Sequence, residues 1–95
     1  MPNIRFILTR HAIIRTLERD ISEMDIADAL TYGRLVEDYP NDMPYPSRLL
    51  YHCCKDRHLH IVAAYDKVNG LEIIVTVYEP STEEWEIGFM QRKKQ

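Results

Sequence analysis

His11, Arg15 and Arg19 stand four residues apart in succession. On a helix that spacing lines them up as one polar ridge. Histidine suits proton transfer near neutral pH, and arginine grips phosphate because its planar fork pairs two oxygens at once. A second group, Arg48, His52, Tyr65 and Tyr78, falls on strand-like segments, and alternation along those segments puts it on one sheet face. These residue types suit acid–base chemistry beside a phosphate. A base takes a proton, a cation steadies the phosphate charge, and an acid protonates a leaving oxygen. Tyrosine fills the acid role where its pKa is lowered.

Each group also has a plainer reading. His11 sits in a first helical turn, whose positive end favours the neutral imidazole a base needs. It can equally cap the helix while Arg15 pairs with a carboxylate. His60 is a further candidate, either as a base or as half of a hydrogen-bonded pair with Glu79 at the core edge. The tyrosines either stack nucleobases or shield a thin sheet. His58 and His60 share a strand face, with Cys53 expected opposite His60, but the spacing matches no zinc motif. No metal and no cofactor is assigned. Cys53 and Cys54 are adjacent, so on a strand they point to opposite faces and form a poor disulfide. Two free thiols fit a reducing cytoplasm.

The elements that must position these groups belong to a chain of 95 residues, 45% of them hydrophobic. That is one domain, 1–95, with a single core. No run approaches the ~20 apolar residues of a membrane helix, and the first ten residues lack the apolar stretch of a secretory signal. The 12 cationic and 15 anionic side chains sum to −3, which argues against coating nucleic acid by bulk charge. A local basic patch is still allowed, because eight of the 12 cations are arginine. The Arg92-Lys93-Lys94 end, residues 91–95, reads as a flexible basic tip.

Alternation predicts a strand over Ile4–Leu8. Thr9 is the expected N-cap of a helix over Arg10–Arg19, whose apolar side is Ile13, Ile14, Leu17 and Ile21. Ser22 with Asp25 starts a second helix, and Gly33 is expected to end it in the left-handed conformation. A strand over Arg34–Tyr39 leads to a loop with three prolines between residues 40 and 46. Strands over Ser47–Cys54, His58–Tyr65 and Leu71–Glu79 follow, the last two joined by an Asn69-Gly70 turn. The order β-α-α-β-β-β-β is an α+β domain with two helices packed on one face of a mainly antiparallel sheet.

A two-residue Asn69-Gly70 loop would pair Lys67 with Glu72, Ala63 with Thr76 and His60 with Glu79. The face expected under the helices then carries Leu49, Tyr51, Cys53, Val62, Ala64, Ile73, Val75 and Val77. The open face carries Arg48, His52, Tyr65, Thr76 and Tyr78 among Leu50, Ile61, Ala63 and Ile74. A slip of one residue would exchange the faces.

The run Thr9-Arg10-His11-Ala12, then Arg15, then Arg19-Asp20-Ile21-Ser22, resembles the opening of domain of unknown function family 4258. Glu37-Asp38-Tyr39-Pro40, His60-Ile61-Val62-Ala63, Thr76-Val77-Tyr78-Glu79-Pro80 and Trp85 continue the resemblance over residues 4 to 92. The family usually has glycine where this chain has Asp20, which would strain that turn. The element order is similar to the RelE/ParE-type toxins. The resemblance implies a cytoplasmic bacterial toxin-like protein, a metal-independent endoribonuclease acting on mRNA. It also implies a zinc-finger-type antitoxin partner, with RNA or the ribosome as target. On this expectation His11, Arg15, Arg48, His60 and Tyr78 are catalytic, and His52, Tyr65 and Arg19 bind RNA. The alternative is a non-catalytic module of the same fold whose open face docks a partner. Homodimerisation through an edge strand is a further expectation.

Overall fold

The computed structural model describes residues 4–94. The outermost residues of the expected domain, 1–3 and 95, lie outside the described residues. The elements are β1 (Phe6–Leu8), α1 (Arg10–Arg19), α2 (Glu23–Tyr32), β2 (Arg34–Tyr39), β3 (Ser47–Cys54), β4 (Arg57–Asp66) and β5 (Leu71–Tyr78). This is the expected α+β order. The sheet runs β1-β5-β4-β3-β2. Among the described residues only the β1–β5 pairing is parallel. No helix among the described residues is long and apolar enough to cross a membrane.

Local chemistry sets the helix ends. The Thr9 hydroxyl accepts from the Ala12 amide at 3.1 Å. Ser22 and Asp25 form a reciprocal capping box, each side chain accepting the other's backbone N–H. Those bonds hold the Asp25 carboxyl below the usual carboxylate range. Between the helices Asp20 is left-handed, at φ 53°. Its amide bonds the Thr16 carbonyl, so the chain turns there without glycine. Gly33 departs from expectation, with φ −65° and ψ 155°, an extended conformation. Glycine is required for space instead, since a Cβ would overlap the Ala29 carbonyl oxygen.

The β4–β5 hairpin is wider than the two-residue turn predicts. Asp66 pairs with Leu71 and Tyr65 with Glu72, leaving four loop residues, 67–70. The buried Asp66 carboxylate accepts from the Asn69 amide at 3.2 Å and from Asn69 Nδ2 at 2.7 Å. A carboxylate inside the loop thus replaces the tight turn. The Lys67–Glu72 pairing does not form. Further along, Ala63 pairs with Ile74 but Val62 pairs with Thr76, so Val75 is an extra residue, a β-bulge.

On β3, β4 and the first half of β5 the helices cover the face opposite to the expected one, while Val77, beyond the bulge, lies under them as expected. Ala12, Ile21, Ile26 and Ala29 form one buried cluster with Leu59, Ile61, Ala63, Ile74 and Val77. The polar residues Arg48, His52 and Tyr65 share this face, but they sit toward its margins. Its middle is apolar, and that is where the helices lie. The other face is covered too. Residues beyond β5 fold across it, burying Trp85, His60 and Leu49.

Candidate functional site

Thr9 joins the start of α1 to the β5 bulge. Its amide donates to the Ile74 carbonyl at 3.0 Å and its hydroxyl to the Val75 carbonyl at 2.9 Å. This sets α1 beside the second half of β5, past the end of the short β1. His11 Nε2 then lies 3.0 Å from the Thr76 hydroxyl. Along the same ridge Arg15 and Arg19 line a cleft of about 420 Å³ with Thr76, Tyr78, Trp85 and Arg92.

The charges of the cleft are partly matched. Arg92 Nε bonds a Glu37 carboxylate oxygen at 3.1 Å, and its guanidinium lies 4.6 Å from the centre of the Trp85 ring. Glu79 lines the cleft but pairs with Arg57 at 3.3 Å. Arg57 also donates to the backbone carbonyls of Asp20 and Arg19, bracing the turn between the helices. Arg15 approaches Glu18 only to 3.8 Å, and both side chains are partly exposed, so that pair contributes little. Glu84 also lines the cleft, but Arg19 has no carboxylate partner among the described residues and Arg15 only a weak one, which leaves both able to meet an anion.

Behind the cleft lies a fixed chain of hydrogen bonds. His60 is fully buried, and its Nε2 is 2.7 Å from the Phe89 carbonyl. A carbonyl only accepts, so Nε2 carries the hydrogen. Burial pushes the His60 pKa down, which favours the neutral ring at neutral pH, and with the hydrogen on Nε2 that ring has Nδ1 as an acceptor. Nδ1 is 3.1 Å from the Tyr78 oxygen, so Tyr78 donates to it. The Trp85 ring meets His60 edge-to-face, with centroids 4.4 Å apart. Gly88 and Phe89 both have positive φ, which forms the turn presenting the Phe89 carbonyl. Burial raises the Tyr78 pKa, contrary to the lowered value an acidic tyrosine needs.

The structure places Arg15, Arg19 and Tyr78 in one cleft, with His60 behind Tyr78 and His11 one turn back along the ridge at Thr76. It separates Arg48, His52 and Tyr65 from them. The Val75 bulge is the reason: it turns Thr76 and Tyr78 to the face opposite Ile74, so the expected four-residue face of Arg48, His52, Tyr65 and Tyr78 does not exist. Arg48 makes two bonds of 3.0 Å to Glu72, beside Tyr65 in a separate shallow pocket. His52 lies opposite Leu59. His60 faces Tyr78 rather than Glu79. Cys53 faces His58 rather than His60, and His58 Nδ1 is engaged by the Tyr51 hydroxyl at 2.7 Å. The two cysteines are free. No metal-binding group of three His, Cys, Asp or Glu side chains forms among the described residues.

Sequence reasoning missed Thr76, Trp85, Phe89 and Arg92 as parts of this site. A lone tryptophan in a largely polar tail was the available signal, since so large an apolar ring is usually buried. Arg92, expected in a solvated tip, is held by Glu37 and Trp85.

A model of the family described as "Domain of unknown function (DUF4258)" matches residues 8–79. The matched segment contains the α1 ridge, His60 and Tyr78, and stops before Trp85, Phe89 and Arg92. No curated protein and no solved structure matches the chain.

Proposed function

We propose, for a chain that belongs to the domain of unknown function family DUF4258, a metal-independent endoribonuclease whose site is the cleft between α1 and β5. One observation carries this reading: His11, at the Thr76 hydroxyl, stands on the same helical ridge as the two open arginines of a single cleft. Arg15 and Arg19 hold the phosphate. His11 takes the proton of the ribose 2′-hydroxyl. The 2′-oxygen attacks phosphorus, and the bond to the 5′-oxygen breaks. Water gives the leaving oxygen its proton. The products are a 2′,3′-cyclic phosphate and a 5′-hydroxyl.

The element order, similar to that of RelE/ParE-type toxins, supports a toxin-like role on mRNA or the ribosome, restrained by an antitoxin of the zinc-finger type. Two free thiols support a cytoplasmic setting. The test is RNA cleavage by purified, partner-free protein in EDTA, with and without ribosomes, reading the new ends. Cyclic phosphate ends that disappear in His11→Ala support the reading.

A second reading, a partner-binding module, has its own observation. Ile7, Ile13, Leu17 and Met24 are exposed large apolar side chains, and the first three line an apolar groove between β1 and the helices. This groove, rather than the tail-covered sheet face, is the surface a partner or a second copy would use. A folded protein that cleaves RNA in neither condition favours this module.

A further inference from the structure

We infer that Tyr78 is a hydrogen-bond acceptor that reads the 2′-hydroxyl of the ribose on the leaving side of the bound phosphate, not the 2′-hydroxyl that His11 deprotonates, and that His60 is the positioning residue that makes it one. This rests on the reading of the α1–β5 cleft as an RNA site. The argument is a count of protons. A phenol has one hydrogen to give and lone pairs to receive. Phe89 takes the hydrogen on His60 Nε2, so His60 Nδ1 takes the hydrogen of Tyr78. No other hydrogen bond of the Tyr78 hydroxyl occurs among the described residues. What Tyr78 offers the cleft is therefore a lone pair.

Such an acceptor has no favourable contact with a phosphate oxygen, which is itself an acceptor. It suits a donor placed next to a phosphate. In a nucleic acid backbone that donor is the 2′-hydroxyl, which DNA lacks. Arg15, Arg19 and Arg92 line the same cleft and supply donors for the neighbouring phosphate. The arrangement selects ribose by a hydrogen bond whose direction is set two residues away, at a backbone carbonyl of the C-terminal segment. The carbonyl cannot reverse its role, and the buried His60 has no second proton to shift.

The test uses two probes that cannot be cleaved. Each is a deoxy-trinucleotide with a free 3′-hydroxyl, its last sugar either ribose or deoxyribose, so that the varied 2′-hydroxyl lies on the leaving side of a phosphate whose preceding sugar has none. Binding to the full chain is followed by amide chemical shifts, which also report folding. The ribose form should bind about five- to tenfold more tightly, the worth of one hydrogen bond. Tyr78→Phe should bring the two affinities within about twofold by weakening the ribose form alone. His60→Leu should do the same with Tyr78 still present. His60→Asn, whose Oδ1 stands near the position of Nδ1, should restore part of the preference. A merely structural role for His60 would weaken both probes together and leave their ratio unchanged. Equal binding of both probes to the wild type overturns the inference and leaves the phosphate site standing. Binding of neither overturns both. If a variant does not fold, the wild-type ratio decides.

Discussion

The Tyr78 hydroxyl donates to His60 Nδ1 across the β4–β5 ladder, where the two residues are direct cross-strand partners. This single bond joins the wall of the cleft to the buried layer beneath the sheet. It also orders the roles in the site. Tyr78 is committed as a donor to His60, so the proton-transfer work of the proposed reaction falls to His11.

His11→Ala should lower RNA cleavage by about 100-fold or more, and Arg15→Ala by a comparable factor. Neither side chain is buried, so the thermal midpoint should stay near that of the wild type. Arg48→Ala is the contrast. It leaves Glu72 half-buried without its two bonds, costing about 1–2 kcal/mol, while cleavage persists. Cleavage rates and thermal melts on the three variants check this. Loss of cleavage in Arg48→Ala alone would move the site to the Glu72 pocket.

His60 predicts a pH effect on stability. Its folded pKa lies below the ordinary value of about 6.5, so the unfolded chain binds the extra proton first. The contribution is intact above pH 6.5 and is lost as pH falls from there toward the folded value. Urea midpoints should therefore drop between pH 7.5 and 5.5. The slope should be flatter in His60→Leu, which carries no titrating group. A wild-type midpoint that does not change over this range would contradict a buried neutral imidazole.

Trp85→Ala should cost about 3–5 kcal/mol, the range for a truncated core tryptophan. Trp85 is 3% exposed and packs on the buried His60. Chemical denaturation measures the loss. A change below about 1 kcal/mol would mean that the segment after β5 is not part of the core.

Asp20→Gly should stabilise the chain by about 1 kcal/mol. Its φ of 53° is a conformation glycine adopts freely and Asp does not. The Asp20 carbonyl, which accepts from Arg57 at 2.8 Å, is retained in the variant. A lower thermal midpoint would show that the Asp20 side chain itself supports the turn.

The local features were legible in the sequence because they are local. The Thr9 cap, the Ser22–Asp25 box, the α1 ridge and the element order each depend on residues within a few positions of one another. The ridge of His11, Arg15 and Arg19 was visible as a spacing, and it is the half of the site that helix geometry alone builds. Strand existence was equally clear from alternation.

Register and facing are a different kind of fact. One extra residue at Val75 turns Thr76 and Tyr78 to the other side of the sheet, and nothing in the alternation of Leu71–Glu79 marks it. The Asp66 carboxylate widened a turn that Asn69-Gly70 would otherwise close. Arg48 and Tyr65 looked like companions of Tyr78 because period-two counting assumes an unbroken strand. The segment carrying Trp85, Phe89 and Arg92 has no regular period to read. Its role appears only where it meets the sheet.

The sequence by itself determined the class of the domain, its helices with their N-caps, and the cationic ridge, since these follow from short-range sterics and hydrogen bonding. Only the tertiary structure decided which sheet face the helices cover, which strand end meets the ridge, and which way the Tyr78 proton points. Those depend on contacts between residues tens of positions apart. There a single bulge, a buried carboxylate or one backbone carbonyl selects among arrangements that the local pattern leaves equal.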